Sequence, residues 1–281
     1  MQSKGFILAA AAGVAWGTIP LTVKLIYSIG SASPLEISFF RFLIAFAVIF
    51  PVMKMKKEPF LVNKWSILMG FSGVFWMSYT SFYGIQYTSA VNATILFNSN
   101  PLFVAVLSLL LKWEKLSFSS VAGIFLGISG VVLVSGPRGV DFHLWGDLLV
   151  LLGAFGWAVY TVLGYKLRET SSLSVTASSL LWGLVWFGSI IWREVPVSIT
   201  GSAWMWILYI GLIPTACAFV FYIKAVDLIG STRASVFQYL APAVAVVLSF
   251  VFHLEGVTVY QIVGIILIVL GIELTRRSRT F

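Results

Sequence analysis

Residues 5–16 read GFILAAAAGVAW and residues 146–157 read GDLLVLLGAFGW, two apolar stretches 141 positions apart that set Gly5 opposite Gly146 and Trp16 opposite Trp157. Carried along the chain without a gap, the same offset pairs Trp65 with Trp206, Gly70 with Gly211, Ala93 with Ala234 and Pro101 with Pro242. It also pairs Glu114 with Glu255, Gly123 with Gly264 and Gly130 with Gly271. Matches sustained over such a length mark an internal duplication. The duplication bears on the first segment, where Lys4 and an alanine-rich run have the outline of a secretory leader. Its copy lies inside the chain, so the segment reads as a retained span.

The solvent of this chain is lipid. Of 281 residues, 59% are apolar and only 10% charged, and the mean hydropathy is +0.99, whereas a soluble globule carries about 25% charged residues. The apolar content falls in ten stretches, approximately 5–27, 35–53, 65–85, 90–111, 118–134, 144–165, 173–192, 203–223, 231–252 and 257–274. Most approach the ~20 residues that a helix needs to cross the hydrocarbon. Gly, Ser and Pro at 29–34 and 135–139 break the helices between them. The expected fold is an all-α integral membrane protein with ten transmembrane helices, five in residues 1–140 and five in residues 141–281. Five is odd, so the second copy enters the membrane from the opposite side and the repeats are inverted. That architecture places a site at the midplane and exposes it to each face in turn.

The net charge of +8 serves topology. A nucleic-acid surface needs a soluble basic face, and here the cations sit in short loops. Alternating sides from a cytoplasmic N-terminus puts Lys4, Lys54, Lys56, Lys57, Lys64, Lys112, Lys115, Lys166, Arg168, Lys224, Arg233, Arg276, Arg277 and Arg279 inside, and only Arg138 and Arg193 outside. Both termini are thus expected in the cytoplasm. Lys24 and Arg41 remain, near the outer halves of helices 1 and 2. A lone cysteine, Cys217, allows no intramolecular disulfide, and His143 and His253 lack metal-ligand spacing. No metal site and no cofactor is expected.

Several side chains are candidates for the pathway. Pro101 and Pro242 fall near the middle of helices 4 and 9, and matched interruptions in both halves point to a transport site and its hinges. Around them lie Asn98 and Asn100, and Gln238 and Tyr239; such polar groups face a wet cavity or bond a neighbouring helix. Trp16, Pro20 and Lys24 share one stripe of helix 1, as Trp157, Thr161 and Tyr165 do on helix 6. The charge is not duplicated, because Arg41 is matched by Trp182 and Glu36 by Ala177. Lys24 and Arg41, with Glu36 as counter-charge, form either an outer gate that attracts carboxylates or a pair snorkelling to the headgroups. Tyr79 and Tyr83 on helix 3 and Trp186 on helix 7 suit a pocket for an apolar or aromatic solute, although such rings also mark the membrane interface. Trp65, Trp192, Trp204 and Trp206 are read as interface anchors.

These residues resemble the drug/metabolite transporter superfamily, and within it the EamA-type ten-helix exporters. The resemblance rests on Gly13-Val14-Ala15-Trp16-Gly17 with Lys24, Pro34 followed by Arg41, Ala90-Val91-Asn92-Ala93, Asn100-Pro101, Glu114, and the glycine-rich helices 5 and 10. It implies a cell inner-membrane exporter of amino acids, related metabolites or drug-like amphiphiles. It also implies a pathway among helices 1 to 4 and 6 to 9, with helices 5 and 10 outside it. Gly123, Gly127 and Gly130 give helix 5 a small-residue face, for packing within one chain or in a homodimer.

Other functions fit less well. No carboxylate lies deep in a span, which disfavours proton/cation exchange of the small multidrug type; multidrug or cation efflux by another route is the alternative to metabolite export. No nucleophile with its base and no paired acids suggest an enzyme, and a Walker loop is missing. A scaffold would need neither mirrored prolines nor such short loops. The expected partners are the lipid bilayer and a small-molecule solute.

Overall fold

A computed structural model describes residues 2–29, 32–136, 143–191, 199, 201–253 and 256–278. Arg138, Trp192, Arg193, Glu255 and Arg279, and the connections at 30–31 and 137–139, lie outside these residues. The described residues form α1 (Gln2–Ile29), α2 (Pro34–Met55), α3 (residues 64–86), α4 (Ala90–Leu110) and α5 (Phe118–Ser135). The second half follows with α6 (Leu144–Lys166), α7 (Ser172–Ile191), α8 (Gly201–Ile229), α9 (Ser231–Val251) and α10 (Val259–Arg277). Nine are long and apolar enough to cross a membrane. The tenth, α3, is as long but more polar, with serines and tyrosines in its second half.

Local chemistry fixes where the helices start. Ser33 and Glu36 close a capping box on α2, the Glu36 carboxylate accepting from Ser33 N at 2.7 Å. Asn63 caps α3 by accepting from the backbone of Trp65 and Ser66. Ser89, Ser117 and Thr258 cap α4, α5 and α10.

The interruptions are duplicated too. A wide π-helical segment, Gly70–Trp76, interrupts α3, and another, Gly211–Cys217, interrupts α8 at the same offset of 141. Pro214 inside the second has no N–H to give its helix. α4 breaks at Asn98–Ser99, and α9 tightens into a 3-10 segment at Val236–Tyr239. Pro101 and Pro242 sit two and three residues past these breaks, in the first turn of the helical segment that resumes.

Packing obeys the same two-fold relation. α1 lies on α8 as α6 lies on α3, α1 meets α9 as α6 meets α4, and the self-paired α2–α7 and α5–α10 contacts span the axis. Between α5 and α10 the backbones all but touch. A methyl group on Gly123 would strike Gly271 O and one on Gly264 would strike Gly130 O, which are symmetry mates. Lipid supplies no hydrophobic drive between helices, so such close approach is what binds them. The small-residue face of helix 5 therefore docks inside the chain, with Gly127 against the ring of Tyr239. Both termini emerge on one face, where Arg276 lies over the ring of Phe6 at 5.7 Å.

Candidate functional site: a blind cavity between the repeats

The breaks of α4 and α9, at Asn98 and Gln238, border a cavity of about 580 Å³. α1 contributes Trp16, Ile19 and Pro20, α2 contributes Arg41, and α3 contributes Met77, Ser78, Ser81, Phe82 and Ile85. α4 adds residues from Ala90 to Asn98, and α6, α8 and α9 add Trp157, Phe219, Gln238 and Pro242 among others. It reaches the face opposite the termini, where Ile85 and Ala90 are exposed. A smaller cleft of about 230 Å³ adjoins it there, sharing Val134, Ser135 and Val246 and adding Ser249 and Gln261. The end of α5 forms part of the cavity's rim, and Gln261 of α10 lines the adjoining cleft.

Aromatic rings and a polar chain make the floor. Trp16 meets Trp157 edge to face at 5.5 Å, and Trp157 stacks on Tyr160 and Tyr222 at 4.9 and 5.5 Å. Beneath them, Asn100 Nδ2 donates to Gln238 Oε1 at 3.3 Å and Gln238 Nε2 donates to the Tyr222 hydroxyl at 2.9 Å. Tyr222 lies 3.0 Å from Thr161 Oγ1, which itself donates to Trp157 O. With the Thr161 proton committed there, the Tyr222 hydroxyl is the donor to Thr161. The chain runs α4 to α9 to α8 to α6, so it crosses between the repeats once, at the Asn100–Gln238 bond.

The termini face is sealed. Past the end of α4, the Glu114 carboxylate accepts from Ser231 N at 2.9 Å, Thr232 N at 3.2 Å and Thr232 Oγ1 at 3.1 Å, and from the Ser231 hydroxyl. An anion on the exposed N–H groups of a helix start is a favourable pairing. Gly230, at φ +90°, turns the chain there with a hydrogen where a side chain would strike Glu114. Ser108 and Ser231 add a hydroxyl contact at 2.9 Å.

The sequence candidates separate into groups. Trp16, Trp157, Asn98, Gln238, Arg41 and Pro242 line the cavity. Asn100 lies just behind it, held to Gln238, while Pro101 is buried in the resumed turn of α4. Tyr239 is buried against α5 with its hydroxyl 3.4 Å from Ile124 O. Tyr79, Tyr83 and Trp186 stand on the outer side of α3 and α7: Tyr79 stacks on Phe75 and meets Tyr83, Trp186 packs on Phe71 and Phe75, and Trp186 is 41% exposed. Glu36 is spent on its cap, and Lys24 is exposed. The expected cationic pair is therefore split. Of the expected interface anchors, Trp65 lies under the Lys64 ammonium at 4.8 Å and Trp204 packs on Phe40.

Ser78, Ser81, Phe219 and Tyr222 were not singled out in the sequence. The signal was present, because Phe219 and Tyr222 are the mates of Ser78 and Ser81 at the offset of 141. Among the described residues no group of His, Cys, Asp and Glu could hold a metal ion.

Ten helices in two opposed copies around a cavity open at one face and closed at the other define a polytopic carrier. The EamA-like transporter family matches residues 3–136 and again residues 144–277. The chain belongs to that family and is a multi-pass membrane transporter. It is 28% identical over 261 residues to the uncharacterized transporter YyaM of Bacillus subtilis (strain 168), covering 88% of this chain and 85% of the relative. An uncharacterized transporter of Archaeoglobus fulgidus is 28% identical over 98% of both chains. One from Acidianus ambivalens is 30% identical over 85% of this chain and 92% of its own. A solved crystal structure shares the fold with a TM-score of 0.86 at 23% identity, covering 98% of this chain and 96% of that one.

Proposed function

We propose that this transporter exports small amphiphilic metabolites, amino acids or related aromatic and apolar compounds, across the cell inner membrane by alternating access, with both termini in the cytoplasm and residues 1–140 and 141–281 as the duplicated units. The observation that carries this is the blind cavity. It is large enough for a small organic solute, lies where the interruptions of both repeats converge, and is sealed on the termini face by hydrogen bonds that one carboxylate makes to one helix start. Such a seal can open without unfolding a span. Trp16, Trp157, Asn98 and Gln238 are the contacts that this function assigns to the solute, and Pro101 and Pro242 mark the hinges. The apolar walls favour a hydrocarbon or aromatic body. Neither catalysis nor a cofactor has a place in it.

The test is flux in liposomes. Purified protein reconstituted with a panel of hydrophobic, aromatic, polar and cationic amino acids, with and without a pH gradient, should give saturable movement of the apolar and aromatic members. Movement of the cationic members alone would overturn the solute class, and product formation without flux would overturn transport.

A further inference from the structure

Arg41 is a buried cation with no anion beside it among the described residues. Its side chain is 8% exposed and lines the cavity. Nη2 donates to Ser78 Oγ at 3.3 Å, and the guanidinium carbon stands 4.4 Å from the centre of the Phe42 ring. Nε has no acceptor. Among the described residues no carboxylate lies within ion-pairing distance of it. Glu36, the acid nearest in sequence, has one oxygen committed to the cap of α2. Buried charges in proteins are paired or hydrated.

The remaining orphaned polar atoms of the lining are donors or hydroxyls. Trp157 Nε1, Ser81 Oγ and Ser135 Oγ have no partner, and Trp157 is 3% exposed. Trp157 is set apart by its own repeat mate, since Trp16 spends its N–H on Pro214 O at 2.9 Å. Among the described residues no acidic residue is in the lining.

We infer that the carried solute is an amphiphilic organic anion whose carboxylate is neutralised by Arg41, with Ser78 fixing the guanidinium and the apolar body against Phe82, Ile85 and Phe97. This rests on the transport function proposed above and names its solute class. While the cavity is open, water solvates Arg41. A solute that fills the cavity displaces that water and has to replace its acceptors. An ester or a hydrocarbon leaves the charge stranded, and an amine adds a second cation. A zwitterion satisfies Arg41 but brings an ammonium that finds no anion in the lining. The order is therefore acid first, zwitterion second, ester and amine last. Arg41 has Trp182 as its repeat mate, so the anion site belongs to the first repeat only. Lys24 is exposed and does not line the cavity, so it takes no part.

Four probes of one phenylpropyl body decide it: 3-phenylpropionate, phenylalanine, methyl 3-phenylpropionate and 3-phenylpropylamine. Each is measured for equilibrium binding to the solubilised transporter and for flux in liposomes, the ester by competition and counterflow because it leaks. The acid should bind roughly tenfold or more tightly than the ester or the amine, and Arg41→Gln should erase that preference while Arg41→Lys keeps part of it. Ester or amine binding at or above the acid in the wild-type protein overturns the anion site, whether or not Arg41→Gln folds. An unchanged acid preference in folded Arg41→Gln overturns the role of Arg41. Acid binding with no flux of any probe would leave the anion site standing and overturn transport, and neither binding nor flux would overturn both.

Discussion

Glu114 should set how readily the cavity opens toward the termini. Its carboxylate takes two backbone N–H groups and two hydroxyls from Ser231 and Thr232, and all four bonds have to part before α4 and α9 separate. A hydrogen bond to a charged group contributes about 1.5–3 kcal/mol when buried, and an anion at a helix start about 0.3–1 kcal/mol. Glu114 is partly exposed, so water recovers much of this when the clamp opens, and about 2 kcal/mol is a fair sum for Glu114→Ala. That corresponds to roughly 30-fold in the closed-to-open equilibrium. Glu114→Gln keeps an acceptor and loses the charge, so its shift should be smaller, about fivefold. Spin labels at Ser3→Cys and Lys112→Cys, both exposed on the sealed face, report the separation in a background where the exposed Cys217 is serine. The wild-type protein should give one short distance, and Glu114→Ala a second, longer population. If Glu114→Ala lowers the melting temperature but leaves the distances unchanged, the carboxylate is a staple of the fold and not a gate.

Three further outcomes follow from particular contacts. Gly123→Val forces a side chain into Gly271 O and the Thr275 hydroxyl and should destabilise the α5–α10 pair by about 1–3 kcal/mol; an unchanged thermal unfolding midpoint in detergent would contradict that packing. Trp16→Phe keeps the ring contacts but strands Pro214 O, at a cost of about 1 kcal/mol, and should lower thermal stability slightly while Trp16→Ala, which also removes the ring, lowers it far more. Lys24→Ala should leave flux within about twofold of wild type because the side chain is exposed, and a loss as large as that of Arg41→Ala would restore the two-cation vestibule.

How far the sequence could be read depended on the kind of information required. The duplication sits in residue identity, so the offset of 141 gave two copies; the ten apolar stretches gave the helix count, and five helices per copy with the Lys and Arg distribution gave opposed copies and termini on one face. Among the cavity-lining residues, Trp16 and Trp157 came with the offset as matched positions, and Gln238 was legible from its place four residues before Pro242. Tyr79, Tyr83 and Trp186 did not reach the cavity because a helical stripe gives relative phase, not the neighbour it faces. The π-helical segment Gly70–Trp76 also resets that phase, since its turns hold more residues than the 3.6 assumed for α3. Glu36 shows a second limit. Its place three residues after Ser33 is a capping-box spacing, and that local bond took the carboxylate away from Arg41. The seal by Glu114 was out of reach, because it joins residues 117 positions apart whose types carry no pairing signature.

A two-fold relation makes the unmatched positions the informative ones. If the two repeats exchanged conformations perfectly, the closures of the two faces would be equal in energy and neither access state would be preferred. The start of α9 offers Ser231 and Thr232 to the closure that is present, whereas the mates of these residues at the start of α4 are Ala90 and Val91, which have no hydroxyls to give. The opposite closure therefore has two fewer side-chain donors, and the state sealed at the termini is the more strongly held of the two. Arg41 lies on the open side of the same asymmetry. An anion arriving there meets its counter-charge before either closure has to break, and a bound solute that replaces the lost hydration of Arg41 lowers the cost of closing over it. The empty carrier would have to close over an unpaired guanidinium. Net export should therefore be slower than exchange of one labelled acid for another, and equal rates would show that water stays with Arg41 throughout the cycle.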